Sequence, residues 1–374
     1  MGTDQFVFFR TDGNTQIASG HLMRCISIAD ACRKLGMEIH FLVSDEESVS
    51  LFQQKLSADF PITRLKSASY DQLEQELPEL LSLLANCKPS KTIFFLDSYY
   101  VTEKYLNAVR KLAKTVYIDD LMLFNYPVNL LINYDVIPPC NMPSYQSAYT
   151  NAAKALLGAS YAPLREQFQS REMPLRNQVC NVLITTGGSD PFHFCLNFLS
   201  FIERVASLPN SDSARIPDDI IFHILVGSFN TDKDALFSFA QASDFIRLYE
   251  NVTDMASLME NCDLAVSAAG TTLYELCALG VPTISYTMAD NQITAAEAFA
   301  KSGIIPYSGD IRVSMTNVLE NIMLFLTQMS NSRNSDLASA TTVSYQERKI
   351  AHDTMRSFID GSGSAKIAKA ILDL

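Results

Sequence analysis

Several features are absent from this sequence, and each absence excludes a class of protein. No apolar run approaches the roughly 20 residues that a membrane-spanning helix needs, and the N-terminus lacks the basic segment and apolar stretch of a signal peptide. Basic residues are scarce, since 29 Lys and Arg stand against 41 Asp and Glu, a formal net charge of −12. No cluster of basic and aromatic residues offsets that balance. We therefore expect a cytoplasmic protein that neither inserts stably into membranes nor binds nucleic acid.

Metal-binding and disulfide patterns are absent as well. The eight cysteines form no Cys-x-x-Cys pair and no Cys/His cluster with zinc spacing. Several fall inside apolar helical or strand patterns, which predicts reduced cysteines in the core and no metal site. What the 374 residues do contain is ample apolar character, 48% hydrophobic against 19% charged. A chain of this length exceeds what one compact core usually holds, so we expect two domains.

Short β-rich segments alternate with helical patterns along the chain, which is typical of parallel sheets with crossover helices. The sequence turns polar and irregular at residues 166–179, and a second alternating series begins at Asn181. We predict two doubly wound α/β domains, residues 1–169 and 170–374, with the last helix able to pack back on the first domain. Residues 209–219 are predicted to be a polar surface excursion. The predicted strands are residues 6–9, 37–43, 92–96, 115–118, 129–132, 182–185, 220–226, 264–267 and 283–286.

The loop after the first strand is rich in small and polar residues and opens a helix at Gly20. His21 and Arg24 lie on one face of the first helical turn. The positive end of the helix dipole disfavours imidazolium, so a neutral His21 could act as a general base. The alternative is an ordinary histidine near a helix cap. The residues predicted to be buried by this helix, at three- and four-residue steps, are Leu22, Cys25, Ile26, Ala29 and Cys32.

Three loops in the second half also follow predicted strands, where ligands bind in open α/β sheets. The first contains Gly187, Gly188, Ser189 and Asp190, with Pro191 placed for the first turn of a helix. Exposed amides at that helix start would suit a phosphate. The same residues also describe a tight turn with an N-cap and no ligand.

The second loop, residues 267–275, and the third, residues 289–292, carry similar alternatives. In the second, small residues leave helix amides open to a diphosphate, and Glu275 could accept hydrogen bonds from ribose hydroxyls. Thr272-x-x-Glu275 is also a capping box, which the sequence alone slightly favours. In the third, Asp290, Asn291 and Gln292 could bind sugar hydroxyls or simply cap a helix.

Together these segments resemble the nucleotide-sugar hydrolases of pseudaminic acid biosynthesis, which act on UDP-2,4-diacetamido-2,4,6-trideoxy-β-L-altropyranose. That family belongs to the GT-B group and is similar to the UDP-N-acetylglucosamine transferase of peptidoglycan synthesis. The resemblance covers nearly the whole chain, and its most particular parts are the Gly-His-x-Met-Arg-Cys turn and the Leu-Gly-x-x-Tyr string. The matching residues, in order, are Arg10-Thr-Asp12-Gly13, Gly20-His21-Leu-Met-Arg24-Cys25, Ile118-Asp119-Asp120-Leu121, Leu157-Gly158-x-x-Tyr161-Ala-x-Leu-Arg165, Gly187-Gly188-Ser189-Asp190-Pro191, Ala269-Gly270-Thr271-Thr272-x-x-Glu275, Ala289-Asp290-Asn291-Gln292 and Asp360-Gly361-x-Gly363.

The resemblance implies a GT-B-like fold, two Rossmann-like domains facing across a cleft, and inverting hydrolysis of a UDP-sugar without a metal or cofactor. His21 would activate water, Glu275 would hold the ribose, and the backbone near Val252 would meet uracil. Because UDP is a good leaving group, no general acid is required; Asp12 is the only near candidate, or it shapes the turn. The substrate-binding positions that the resemblance implies are Arg10, Asp12, Gly20, Arg24, Tyr99, Arg165, Gly188, Ser189, Val252, Ala269, Gly270, Thr271, Thr272, Glu275, Asp290, Asn291 and Gln292.

One departure leaves the exact sugar open. The family usually has Asp-His-Tyr where this chain has Asp97-Ser98-Tyr99, so Ser98 replaces a residue expected to touch the sugar or support the base. Two other functions stay open. A GT-B glycosyltransferase would use the same UDP site, although the basic stretch at residues 110–114 is short for a membrane-facing patch. A non-catalytic UDP-sugar-binding protein would need Gly270 and Glu275 but not His21. The sequence does not fix the pathway product or the oligomeric state.

Overall fold

The computed structural model describes residues 4–14, 16–17, 20–55, 59–206, 219–330 and 343–374. The chain divides into two compact units. Unit 1 comprises Met1–Glu166 and Gly361–Leu374, and unit 2 comprises Gln167–Asp360. Most of the predicted surface excursion at 209–219 lies outside the described residues, as do Ala18 and Ser19 of the loop before His21.

Each unit is built on a parallel sheet. In the described residues the first sheet has seven strands in the order β3-β2-β1-β4-β5-β6-β7, and the second has six in the order β10-β9-β8-β11-β12-β13. The strands are β1 (Phe6–Arg10), β2 (Glu38–Val43), β3 (Ile62–Arg64), β4 (Thr92–Leu96), β5 (Lys114–Ile118), β6 (Leu130–Asn133), β7 (Lys154–Leu157), β8 (Asn181–Thr185), β9 (Ile221–Val226), β10 (Ile246–Glu250), β11 (Leu264–Ala268), β12 (Thr283–Thr287) and β13 (Tyr307–Asp310).

Helices connect most neighbouring strands of each sheet, whereas residues 119–129 join β5 to β6 without one. They are α1 (Gly20–Lys34), α2 (Glu46–Lys55), α3 (Leu77–Ala85), α4 (Glu103–Val109), α5 (Met142–Ala148), α6 (Phe194–Ala206), α7 (Lys233–Gln241), α8 (Met255–Glu260), α9 (Thr272–Leu279), α10 (Asp290–Lys301), α11 (Ile311–Ser330), α12 (Val343–Phe358) and α13 (Gly363–Leu372).

The α/β prediction is confirmed, and every strand expected from the sequence is present with ends within one residue. Four strands were not predicted: β3, β7, β10 and β13. All four lie at the edges of their sheets. Edge strands are solvated on one side and lack the continuous apolar run that identifies a buried parallel strand. The Ile-Thr-Arg of β3 and the Tyr-Ser-Gly-Asp of β13 show this directly.

Helix α1 buries the five predicted side chains beneath the sheet of unit 1. The same core contains Ile367 and Ile371 of α13, both fully buried, so the C-terminal helix packs beside α1. All eight cysteines are free thiols and five are buried. The core prediction is wrong for Cys140, which is exposed because it lies in a loop of prolines and polar residues rather than on an apolar face.

Candidate active site

The first group of candidate residues lies where the strand order of unit 1 reverses, between β1 and β4. These strands pair in register, Arg10 opposite Leu96, so the chain leaves both at the same edge of the sheet. The loop after β1 leads to His21 at the start of α1, and Asp97 directly follows β4. Ligands bind at such reversal points because neighbouring loops diverge there and leave a crevice.

His21 and Asp97 form a close pair at this edge although 76 residues separate them in sequence. The Nδ1 atom of His21 lies 2.6 Å from Oδ1 of Asp97. An ionised carboxylate only accepts hydrogen bonds, so this shorter contact favours the tautomer with the proton on Nδ1 and the lone pair on Nε2, while Nη2 of Arg24, which can only donate, also lies 3.0 Å from Nδ1. The imidazole is buried, 6% exposed, and the ring of Tyr99 meets it edge-on at 4.4 Å between centroids. This arrangement presents Nε2 as a base.

Arg24 also forms hydrogen bonds with the carboxylate of Asp97. Its Nε and Nη2 atoms donate to the two carboxylate oxygens, both at 2.6 Å. Nη1 donates to the hydroxyl of Tyr134 at 2.6 Å and to Asp120 at 3.1 Å. Burial alone would raise the pKa of Asp97, but Arg24 and His21 outweigh it and hold that pKa well below its usual range. The contacts of Arg24, expected from the resemblance to be with substrate, are with groups of the protein.

Tyr99 completes this cluster. Burial, and then the negative charge of Asp120, raise the pKa of Tyr99 to about 12. The phenol therefore stays protonated at neutral pH, and its hydroxyl donates to the carboxylate of Asp120. Tyr99 is 42% exposed, which leaves a surface for a ligand beside His21.

Arg10 and Asp12 belong to a second buried network next to the first. Arg10 is completely buried; its Nε lies 3.0 Å from both oxygens of Glu76, and its Nη1 donates to Asp12 at 2.5 Å. Tyr105 donates its hydroxyl to Glu76 at 2.6 Å. Burial lowers the pKa of Arg10, but Asp12 and Glu76 reverse the effect and raise it. Since Arg10 has no exposed surface, its side chain fixes Asp12 rather than making the direct substrate contact that the resemblance implied.

A small cavity of about 10 Å³ adjoins His21. Asp12, His21, Ser98 and Tyr99 in this region are predicted from the sequence, whereas Asp97 is not predicted there as the partner of His21. That signal was present, because a carboxylate directly after a buried strand lies at the ligand-binding edge of the sheet. The lining residues are Asp12, Ile17, His21, Tyr70, Asp97, Ser98, Tyr99 and Tyr100.

The second group of candidate residues lies at the corresponding reversal point of unit 2, between β8 and β11. Thr185 pairs with Ser267 near the ends of these strands, so the loops at 186–190 and 269–272 leave from one edge. Asp190 is buried and caps α6, accepting from the amides of Phe194 at 2.8 Å and Cys195 at 2.9 Å. The helix begins at Phe194, so the prediction that Pro191 lies in its first turn is wrong. His193, with φ of +54°, interrupts any earlier helical start.

The loop after β11 partly distinguishes the two interpretations of Thr272 and Glu275, a ligand site and a capping box. A capping box requires Thr272 at the N-cap, outside the helix. Thr272 is instead the first residue of α9, and Thr271 occupies the N-cap without a side-chain cap bond. Thr272 is therefore not at the N-cap position that the capping-box interpretation requires. The first amides of α9 lack partners within the helix by geometry, as at every helix start.

Glycines at these loops are not required by the protein's own packing. A Cβ atom added to Gly20, Gly188 or Gly270 would meet no atom within 4 Å, and none of the three has a positive φ. Gly227 differs, because its Cβ would lie 2.4 Å from the carbonyl oxygens of Gly187 and Gly188. Open space, rather than a packed neighbour, faces the glycines at 188 and 270.

The remaining predicted positions lie at other loop ends. Gln292 accepts a hydrogen bond from the amide of Met288 at 2.9 Å, so capping accounts for this residue. Asp290 pairs with Arg312 at 2.8 Å and Asn291 is exposed at the start of α10. Val252 is half-buried between β10 and α8. Arg165 is half-buried. It directly precedes Glu166, the last residue of the first segment of unit 1.

Comparison with known proteins gives one family match and several distant relatives. Residues 181–352 match the glycosyltransferase family 28 C-terminal domain. The chain is 27% identical over 286 residues to the Helicobacter pylori "pseudaminic acid cytidylyltransferase and UDP-2,4-diacetamido-2,4,6-trideoxy-beta-L-altropyranose hydrolase", covering 76% of this chain and 45% of that protein. It is 23% identical over 297 residues to the Campylobacter jejuni UDP-2,4-diacetamido-2,4,6-trideoxy-beta-L-altropyranose hydrolase, covering 79% and 97%. The chain spans about half the length of three of the curated relatives it matches.

Solved structures share the fold. MurG of Acinetobacter baumannii aligns with a TM-score of 0.65 at 15% identity, over 99% of this chain and 100% of that one. The likeness to hydrolases of this type, stated from the sequence, is confirmed, and so is a GT-B fold of two Rossmann-like domains. In the described parts of the chain, no helix combines the length and apolar character needed to cross a membrane.

Proposed function

We propose that this chain is a nucleotide-sugar hydrolase that releases UDP from a UDP-linked 2,4-diacetamido-2,4,6-trideoxy sugar. The reaction is attack of water at the anomeric carbon with inversion, without metal or cofactor, in the cytoplasmic synthesis of pseudaminic or a related surface sugar. The observation that carries the proposal is the buried His21–Asp97 pair, which presents Nε2 of His21 as a base at the ligand-binding edge of unit 1. The names of two relatives support the substrate class.

His21 takes the proton of the attacking water. As the water oxygen bonds to the anomeric carbon, its proton passes to Nε2, and the bond from that carbon to the β-phosphate oxygen breaks with its electron pair leaving on UDP. The imidazolium that forms lies against the ionised Asp97. Arg24 acts through Asp97, because its two bonds to the carboxylate fix the orientation in which Asp97 meets Nδ1.

The loops of unit 2 bind UDP in this proposal. The amides of Gly270, Thr271 and Thr272 stabilise the diphosphate as negative charge develops on it, since they belong to a helix start with a favourable dipole. Glu275 in the first turn of α9 accepts from the ribose hydroxyls, and the backbone at Val252 meets uracil. The open space at Gly188 and Gly270 supports this assignment, because a diphosphate needs close approach to the backbone.

Other substrate contacts follow the resemblance. Tyr99 offers an exposed side chain beside His21, where a sugar would lie. Asn291 and Arg165 remain proposed contacts to the substrate, together with Ser189, Ala269 and Asp290. A binding protein without catalysis would not need the pairing of His21 with Asp97.

A glycosyltransferase is the second candidate, favoured by the match of residues 181–352 to a glycosyltransferase domain. Time-resolved proton NMR of the protein with the UDP-linked diacetamido sugar, without any acceptor, separates the two. Hydrolysis predicts free UDP and a free sugar, and the anomer of that sugar that is observed first should have inverted configuration. Survival of the UDP-sugar until an acceptor alcohol is added would replace hydrolysis with transfer.

Substitution of His21 tests the base. We expect His21→Asn to lower turnover by at least about 100-fold, because a positioned base contributes on the order of 100- to 10,000-fold. UDP affinity, measured by isothermal titration, should stay within about twofold, since the proposed UDP contacts lie in unit 2. Unchanged consumption of the UDP-sugar would exclude His21 as the base.

A further inference from the structure

We propose that the cavity beside His21 is a preformed site for the nucleophilic water, in which Asp12 and Ser98 hold the water against the base. This inference rests on the proposed hydrolysis and names the residues that choose its nucleophile. The cavity measures about 10 Å³, close to the smallest that holds one water molecule.

The cavity also offers the polar partners that an ordered water requires, between two and four. His21 provides the lone pair of Nε2. The carboxylate of Asp12 has about four acceptor positions, of which three meet Ser44 N at 2.7 Å, Ser48 Oγ at 3.4 Å and Arg10 Nη1 at 2.5 Å. One position therefore remains on Asp12 for an O–H of the water.

Ser98 supplies a hydrogen-bond donor, whereas Asp12 and His21 supply acceptors. Its hydroxyl oxygen accepts from the amide of Tyr100 at 3.2 Å, which leaves the hydroxyl proton for donation. Tyr117 donates to the carbonyl oxygen of Ser98 at 3.1 Å and fixes the backbone there. A water could then donate one proton to Asp12 and one to His21 while accepting from Ser98. Donation to both Asp12 and His21 orients the water lone pair that attacks carbon.

The buried network behind Asp12 has a role in this scheme. Arg10, Glu76 and Tyr105 are all at or below 1% exposure and do not line the cavity. Glu76 holds Arg10 through contacts at 3.0 Å, and Arg10 holds the oxygen of Asp12 that Ser44 does not. Both oxygens of Asp12 are thereby fixed in direction. Glu76 and Arg10 are positioning residues, and Asp12 is the group that touches the water.

Aromatic and apolar side chains also line the cavity. Tyr70 and Tyr100 meet edge-on at 5.9 Å between centroids, and Ile17 adds an apolar wall. The site thus selects water by its hydrogen-bond pattern.

Asp12→Asn tests the assignment, with Asp45→Asn as the matched control. Asp45 accepts from Asn14 and from the amide of Ser48 close to Asp12, yet it does not line the cavity. We expect kcat of Asp12→Asn to fall by about 100-fold, the loss typical of a misplaced reacting group. KM and the UDP affinity should change less than about threefold, and Asp45→Asn should keep kcat within about threefold. This separation of kcat from KM would not follow from a general loss of structure.

Ser98→Ala and Glu76→Gln provide the second measurement if Asp12→Asn fails to fold. Each should lower kcat by about tenfold with KM retained, because one contact or one support of the water is lost. Wild-type kcat in Asp12→Asn or in Ser98→Ala, or an equal loss in Asp45→Asn, would overturn the water site. If the wild-type protein itself releases no free sugar, the proposed hydrolysis fails, which is a distinct result.

Discussion

At the scale of single residues, the proposed hydrolysis depends on which nitrogen of His21 carries its proton. The hydrogen bond to Asp97 at 2.6 Å keeps that proton on Nδ1. Arg24 keeps Asp97 ionised and in place, which lowers the pKa of the carboxyl. A neutral histidine with the opposite tautomer would have no lone pair at Nε2.

Asp97→Asn is expected to lower kcat by about 100-fold or more. An asparagine amide can donate to Nδ1, which moves the proton to Nε2 and removes the base, and it also loses the ion pair with Arg24. UDP affinity should be unchanged. Steady-state kinetics with isothermal titration of UDP measures both quantities.

Asp30→Asn is a suitable control, because Asp30 lies on the same helix as His21 and makes an ion pair of 3.5 Å with the exposed Arg33. Its kcat should match the wild type. A wild-type kcat in Asp97→Asn would contradict the tautomer argument.

At the scale of elements, loops at the strand ends of unit 2 contain glycines of two kinds. Gly227 is glycine because β9 ends against the carbonyls of Gly187 and Gly188. Gly270 precedes α9 with open space where a side chain would be. Only the second kind leaves backbone accessible to a ligand.

The two glycines should respond oppositely to alanine. Gly270→Ala should leave the free energy of unfolding within about 0.5 kcal/mol, since no atom is displaced, and should weaken UDP binding by about tenfold or more because Cβ occupies the space of the diphosphate. Gly227→Ala should lower the free energy of unfolding by about 1–3 kcal/mol through overpacking. Urea denaturation and isothermal titration test the pair. Wild-type UDP affinity in Gly270→Ala would show that no ligand uses that space.

At the scale of the whole molecule, the C-terminal segment returns to unit 1 after α12 has completed the described part of unit 2. Two segments on which the sequence resemblance is based, residues 157–165 and 360–363, meet where the chain returns to unit 1. A Cβ on Gly363 would lie 2.0 Å from the carbonyl oxygen of Ala162, and Ser364 donates to the carbonyl oxygen of Leu164 at 3.1 Å. Gly361 has φ of +78°, which favours glycine at the turn. These motif residues therefore serve packing in unit 1.

Ile367→Ala measures how much the returning helix stabilises unit 1. Ile367 is completely buried in the core shared with α1, so we expect a loss of about 2–5 kcal/mol. Urea denaturation should show the loss in the transition of unit 1, and Lys369→Ala, on the exposed face of α13, should change the free energy by less than about 0.5 kcal/mol. Equal stability of Ile367→Ala and the wild type would mean that α13 contributes little to the core.

The sequence by itself determined the class of fold and the loops that matter. Buried parallel strands are recognisable as continuous apolar runs. The helices that begin near Gly20 and Gly270 are recognisable from their apolar periodicity and from the small residues before them. The local sequence pattern was therefore sufficient to predict these elements. Edge strands such as β3 and β13 were missed because solvation removes that pattern.

Only the tertiary structure decided which side chains form hydrogen bonds with each other. Asp97 meets His21, and Glu76 meets Arg10, only because strands distant in sequence pair side by side in the sheet. Whether Thr272 is a cap or a helical residue likewise depended on where α9 begins, a boundary that the sequence leaves open by a residue. Local propensity specifies elements, whereas hydrogen bonds across a sheet edge depend on register and strand order, which propensity does not contain.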